Sequence, residues 1–234
     1  VTDEMLRVSG LQAFYGESHV LHGVDFKVDR GEVVILLGRN GVGRTTTLKA
    51  IIGLVSSRSG SVMIDGRESI HLPSHKIARL GVGYCPEERG IFSKLTTEEN
   101  LLLLPAVGAA GMSVEEIYSM FPNLEERRAT QGTRLSGGEQ QMLAVARILR
   151  SGAKLMLLDE ISEGLAPVIV QALSRMIHAL RERGYTIVLV EQNFRFALPL
   201  ADRFYVMEHG RIVDGFGAAE LQHRLPSLNA RLGV

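Results

Sequence analysis

Short apolar or alternating runs recur along this chain, separated by longer amphipathic stretches. Residues 6–14 and 24–28 alternate or are rich in β-branched side chains, and Asp29-Arg30-Gly31 makes a turn; this predicts two antiparallel strands. Val33-Val34-Ile35-Leu36-Leu37 has no polar face and predicts a strand buried on both sides. Residues 45–54 follow as a helix-like segment, 59–66 as turn, strand and turn, 73–80 as a short helix opening on proline, and 81–85 as a strand stopped by Pro86. From 93 to 151 the pattern becomes helical, at 97–104, at 113–121 with Glu116 three residues after a Ser113 cap, and at 137–150. Strands resume at 154–159, 185–190 and 203–207, with helices at 167–183 and 193–200 between them. Ile169, Leu173, Met176, Ile177 and Leu180 share one face of the first of these helices. Residues 208–211 then form a hairpin turn into 212–214.

Strands alternating with helices predict an α/β fold with a mainly parallel core sheet covered on both faces. An antiparallel β-layer precedes it, and the helical block is an insertion. The expected organisation is a single domain over 1–234, with its core at 1–92 and 152–234 and a helical subdomain at 93–151. No long linker, repeat or low-complexity tract interrupts it.

Composition narrows the function. Lys+Arg and Asp+Glu number 26 each, so no global field favours nucleic acid or an anionic membrane surface. One cysteine, Cys85, leaves no internal disulfide and suits a reducing compartment. No run approaches the roughly 18–20 apolar residues of a membrane span. The stretch 101–111 is broken by Pro105 and Gly108, and the N-terminus, starting at Val1, lacks the layout of a signal peptide. The chain by itself is expected to be soluble and intracellular.

The chemistry concentrates at Gly38-Arg39-Asn40-Gly41-Val42-Gly43-Arg44-Thr45-Thr46, between an apolar strand and a helix. Glycines let successive amides turn towards an anion, and the helix adds its positive end. The spacing is that of the phosphate-binding P-loop, with Arg44 where the pattern has lysine, and Thr45 supplies the hydroxyl such loops place on Mg²⁺. Asp159 and Glu160 end an apolar strand: an acid there can hold Mg²⁺ and its neighbour can act as general base on water, although a solvated acidic pair has the same pattern. Leu135-Ser136-Gly137-Gly138-Glu139-Gln140-Gln141 contains a capping box, Ser136 with Glu139. A cap needs no double glycine, whereas exposing helix-start amides to an anion does.

That last stretch, downstream of a P-loop and just before an acid-ended strand, resembles the signature of ABC-type ATPases over essentially the whole chain. Asp159-Glu160-Ile161-Ser162-Glu163-Gly164-Leu165-Ala166-Pro167 is similar to the D-loop of the ATP-binding subunits of branched-chain amino acid importers, in particular the shorter of their two ATPases. Asn100-Leu101, Val190-Glu191-Gln192-Asn193, Arg39-Asn40 and Pro86-Glu87-Glu88-Arg89-Gly90-Ile91-Phe92 resemble the same group.

The resemblance implies ATP and Mg²⁺ as ligands, with Tyr15 stacked on adenine, although a strand-edge core tyrosine fits its position too. It implies Gly38, Asn40, Gly41, Gly43, Arg44, Thr45 and Thr46 around the phosphates, Thr45, Glu87 and Asp159 toward the metal, and Glu160 and Gln192 as catalytic groups. Ser136, Gly137 and Gly138 correspond to donors for the ATP of a partner subunit. The implied partners are a second ABC ATPase, identical or not, paired head to tail, membrane permease subunits and, indirectly, a periplasmic binding protein, with no nucleic acid. The implied location is peripheral, on the cytoplasmic face of the inner membrane. The same resemblance leaves urea or short amides as a second substrate class.

Three positions depart from the wider family pattern. Glu87 replaces a glutamine and loses its amide donors. Gln192 replaces a histidine and cannot titrate near neutral pH. Arg44, longer, planar and forked, replaces a compact lysine, which leaves a weakly hydrolysing regulatory subunit as an alternative to an active motor. Elsewhere, His71 and His75 straddle Pro73 without further ligands at metal spacing, Cys85 reads as a core residue, and Arg127-Arg128 and Arg181-Glu182-Arg183 read as solvated helix faces.

Overall fold

The computed structural model describes residues 3–107 and 111–232; Val1 and Gly108 lie outside them. In chain order the elements are β1 (Glu4–Tyr15), β2 (Ser18–Asp29), β3 (Val33–Leu37), α1 (Arg44–Ile51), β4 (Ser57–Ile64), β5 (Arg67–Glu68), α2 (Ser74–Ala78) and β6 (Val82–Cys85). The helical block follows as α3 (Thr97–Leu102), α4 (Val114–Met120), α5 (Pro122–Glu126) and α6 (Gly137–Ser151). The chain then runs through β7 (Leu155–Asp159), α7 (Pro167–Glu182), β8 (Thr186–Val190), α8 (Phe194–Ala197), β9 (Arg203–Glu208), β10 (Arg211–Gly217) and α9 (Leu221–Leu232). Among the described residues no helix is long and apolar enough to cross a membrane.

Two sheets form. One has the order β2-β1-β4-β5 and is antiparallel; the other has the order β10-β9-β3-β8-β7-β6 and is parallel except for β10. The pleat divides the uniformly apolar β3 between two cores. Val34 and Leu36 pack with Leu6, Leu11, Leu21 and Val188 under the antiparallel sheet. Ile35 and Leu37 face the helices, beside Leu143, Leu173, Ile177 and Leu180. A strand with both faces covered needs no polar side, which is why β3, β7 and β8 read as continuous apolar runs.

Some local expectations change. β4 begins at Ser57, so Ser59 pairs with Gln12 of β1 rather than forming a turn, and Gly60 falls at the register irregularity between Ser9 and Gln12. Pro73 is the residue before α2 rather than inside it. The helix expected at 193–200 splits into α8 and a 3₁₀ turn at Leu198–Leu200, where Pro199 offers no backbone N–H. α3 stops at Leu102, leaving Leu102 and Leu103 exposed. α5 and α9 had no clear sequence signal: the first spans only Pro122–Glu126, and the second carries Pro226 inside it.

Candidate nucleotide site

Strand order decides which loops meet. β8 lies between β3 and β7, with Val190 opposite both Leu36 and Asp159, so three C-terminal strand ends stand in a row. Gly38, Glu191 and Glu160 leave those ends. The P-loop enters α1 through Gly43, whose φ of 106° is a conformation for glycine, and a Cβ there would stand 2.8 Å from Leu21. α1 has no side-chain cap and no acidic residue in its first turn, so its leading amides are left for an anion.

A cleft of about 380 Å³ gathers Asn40, Gly41, Gly43, Arg44, Thr45 and Thr46 with Glu87, Glu160 and Gln192, all named from the sequence, together with Val20 and Glu163; Gly38 and Asp159 are not among its lining residues. Asp159 lies behind Thr45 of this lining, almost wholly buried: one carboxylate oxygen accepts from Thr45 Oγ1 at 3.0 Å and the other from the Tyr84 hydroxyl at 3.0 Å. Burial pushes the Asp159 carboxyl above its ordinary value, and the two hydroxyl donors oppose the shift. The Glu87, Glu160 and Glu163 carboxylates lie within 4.8 Å of one another at the mouth of the cleft.

Arg44 crosses this site. Its Nη1 donates to the Glu191 carbonyl at 2.7 Å, and Nη2 donates to Glu160 Oε1 at 3.0 Å and to Asn40 Oδ1 at 3.3 Å. The two ion-pair side chains are only 3% and 10% exposed. Burial lowers the guanidinium pKa while Glu160, Asp159 and Glu191 oppose the shift. Glu160 itself has a left-handed backbone, φ 46°, an uncommon conformation for a glutamate and of the kind that collects at functional sites. Its N–H donates to Val190 O at 2.9 Å, and Gln192 Nε2 donates to its Oε2 at 2.6 Å. Burial pushes the Glu160 carboxyl up to about 7, a hydrogen bond with Glu163 adds to the shift, and Arg44 and Gln192 oppose it. A carboxylate near neutrality suits general base catalysis.

Glu191 holds the loop after β7 in place: its buried carboxylate accepts from the Ser162 N–H and hydroxyl, both at 2.9 Å. Glu191, Tyr84 and Glu163 were not singled out as site residues from sequence. Glu163 and Glu191 stood inside recognised stretches, but nothing in the order of residues says that they face Arg44 or Ser162.

The structure brings other expected residues elsewhere. Tyr15, at the end of β1, is 48% exposed and is not among the residues lining the cleft. Ser136 caps α6, its Oγ accepting from Glu139 N at 3.3 Å while its own N–H donates to Glu139 Oε2 at 2.7 Å, and it also lies outside the cleft lining. The double glycine turns out to have packing reasons as well. A Cβ on Gly137 would meet both Arg89 terminal nitrogens at 3.3 Å, and one on Gly138 would stand 2.8 Å from Ile169. Cys85 is buried, accepts from Gln141 Nε2 at 3.3 Å, and has its thiol pushed up to about 12 by burial. His71 and His75 are exposed.

A family model described as ABC transporter matches residues 21–163. The chain is 44% identical over 212 residues to the high-affinity branched-chain amino acid transport ATP-binding protein BraG of Pseudomonas aeruginosa, covering 89% of this chain and 91% of that protein. It is 36% identical over 225 residues to the probable branched-chain amino acid transport ATP-binding protein LivF of Archaeoglobus fulgidus, 93% and 94% of the two chains. It is 34% identical over 215 residues to the lipopolysaccharide export system ATP-binding protein LptB of Escherichia coli, 89% and 88% of the two. A nucleotide-free ATP-binding cassette from an ABC transporter has the same fold, with a TM-score of 0.84 at 22% identity over 99% of each chain. So does a dimeric cassette in a post-hydrolysis state bound to ADP and phosphate, with a TM-score of 0.78 at 23% identity over 92% of this chain and 99% of that one. A P-loop running into an uncapped helix, an acid pair at the next-but-one strand end and these relatives lead to one conclusion: the chain belongs to the ABC transporter ATP-binding family and is one of its ATPases.

Proposed function

We propose that this chain is the ATP-hydrolysing motor subunit of an importer for branched-chain amino acids. The 44% identity to BraG, against 34% to LptB, supports amino acid import over lipopolysaccharide export. It works head to tail with a second ABC ATPase subunit against permease subunits, on the cytoplasmic face of the inner membrane, and a periplasmic binding protein selects the substrate. Residues 93–151 form its helical subdomain and 1–92 with 152–234 its core.

The observation that carries hydrolysis is the placement of Glu160: a carboxylate pushed up to about 7, at the lip of the phosphate cleft, oriented by Gln192. In the proposed reaction the P-loop amides and Arg44 hold the triphosphate. Glu160 takes a proton from the attacking water, and Gln192 keeps that carboxylate aimed. Thr45 Oγ1 and Asp159 Oδ1, 3.0 Å apart, are hard oxygen donors of the kind Mg²⁺ takes, so they fit a metal ligand set and its water shell, with Glu87 beside them. Bound there, Mg²⁺ would supply charge neutralisation at the phosphates. Ser136, Gly137 and Gly138 face the partner's ATP, and Tyr15 stacks on the adenine.

A weakly hydrolysing regulatory subunit is the second reading, and the Arg44–Glu160 ion pair favours it, since the cation sits on the base. Reconstitution with the permease subunits in lipid vesicles tests both. Mg-ATP-driven uptake of labelled leucine, isoleucine or valine, lost in Glu160→Gln, is the expected result. Uptake of urea or short amides instead would change the substrate class. Uptake that survives Glu160→Gln would move hydrolysis to the partner.

A further inference from the structure

Arg89 is joined to the turn that opens α6 in two ways. It lies in the 86–90 segment, two residues beyond Glu87 of the cleft, and its φ of 65° is left-handed. Among the described residues, four other than glycine have positive φ, and two of them, Asp65 and His209, sit in the turns between β4 and β5 and between β9 and β10. Arg89 instead closes the turn after β6, its N–H donating to the Pro86 carbonyl at 2.9 Å, and an arginine held in this conformation needs surrounding contacts to keep it. The contacts are specific. Arg89 Nη1 donates to Gln140 Oε1 at 3.1 Å, and Gln140 Nε2 donates onward to the Gly132 and Leu135 carbonyls at 3.1 and 3.2 Å. The guanidinium also lies flat enough on the helix start that a Cβ on Gly137 would touch both terminal nitrogens at 3.3 Å. Its Nε is buried without a partner, so the side chain is held at a desolvation cost.

We propose that Arg89 is a positioning residue that couples the chain's own nucleotide cleft to the Ser136–Gly138 turn, through Gln140 on one side and Gly137 on the other. The inference rests on the nucleotide reading of the cleft given above. A nucleotide that shifts the segment carrying Glu87 drags Arg89. Arg89 then moves both the carbonyls leading into Ser136 and the Gly137 backbone. A lysine in its place carries the charge but has one point donor instead of a fork, so it cannot hold Gln140 and cover Gly137 together. Glycine at 137 lets the guanidinium lie this close, since a Cβ there would press it back by a few tenths of an ångström.

Hydrogen exchange on the isolated full chain, with and without Mg²⁺ and a slowly hydrolysed ATP analogue, tests this without a partner subunit. In the wild type, nucleotide is expected to protect both the 38–46 loop and the 134–140 turn. In Arg89→Ala and in Gln140→Leu the loop keeps its protection while the turn no longer responds. The turn is also expected to exchange about tenfold faster in the free variants, equivalent to about 1.4 kcal/mol. Arg89→Lys should restore folding stability but not the response. A merely structural role predicts otherwise: lower melting temperature, with any response of the turn intact. If the turn in Arg89→Ala still responds as in the wild type, or never responds in the wild type, the coupling role is wrong while the nucleotide reading stands. If the 38–46 loop is not protected in the wild type, the nucleotide reading fails, and the coupling with it.

Discussion

Arg44 Nη2 and Glu160 Oε1 lie 3.0 Å apart, a salt bridge between the P-loop helix and the end of a strand two positions away in the sheet. The arginine passes the end of β8 on the way and donates to the Glu191 carbonyl at 2.7 Å. A lysine has one ammonium and could not serve both acceptors and Asn40 in the same fork geometry. The cation proposed to hold phosphates is thus paired with the group proposed to act as base. On the proposed reading, a bound triphosphate would exchange that carboxylate for phosphate oxygens on Arg44.

Arg44→Ala should lower ATP affinity at least tenfold, about 1.4 kcal/mol, because it removes a charge facing the phosphates. Arg44→Lys should keep affinity within about tenfold and change turnover by less than about tenfold. Isothermal titration with a non-hydrolysable analogue, beside a phosphate-release assay, measures both. A gain in turnover of about a hundredfold or more with lysine would support the regulatory reading instead.

Glu160→Gln preserves the shape of the side chain and can still accept from Arg44. It should bind ATP and slow turnover by about 100-fold or more, since no carboxylate remains to take the proton. Nucleotide-bound dimer should accumulate in Mg-ATP and be visible by size exclusion. Wild-type turnover in this variant would remove Glu160 from the chemistry.

The raised Glu160 value also sets a stability trend. A carboxyl raised from its ordinary value of 4.5 to about 7 binds more protons in the folded chain than in the unfolded one across that interval. Stability therefore falls as pH rises from about 4.5 to about 7. The melting temperature of the nucleotide-free wild type relative to Glu160→Gln should drop over this range and level off above it. Hydrolysis should rise through the same region if the free carboxylate is the base. A difference that is flat with pH would contradict the assigned shift.

Gly138→Ala should be destabilising by about 1–3 kcal/mol, because its Cβ would lie 2.8 Å from two Ile169 atoms in a packed interface. Gly137→Ala should cost less, since the neighbour is the far end of Arg89. Shortening the obstacle in Gly138→Ala/Ile169→Ala should recover part of the loss, which chemical denaturation of the three variants can measure. Additive losses in the double variant would mean that Ile169 is not what forbids the side chain.

Much of this molecule is settled by local chemistry along the chain. Continuous apolar runs marked β3, β7 and β8 because strands covered on both faces have no polar side to show. Spaced glycines marked the P-loop, and Ser136 with Glu139 three residues later marked the start of α6, since caps and turns are made by neighbours in sequence. Tertiary structure decided the rest. The order β3-β8-β7 brings both the Glu191 carbonyl and the Glu160 carboxylate to Arg44, each more than a hundred positions from it in sequence, a relation that no periodicity encodes. The Asp159 contacts with Tyr84 and Thr45, the Ser162 contacts with Glu191, and the seat of Arg89 on Gly137 have the same origin. A sequence states which groups a chain carries, but burial raises Glu160 and an adjacent cation opposes that shift only after distant strands pack side by side and exclude water.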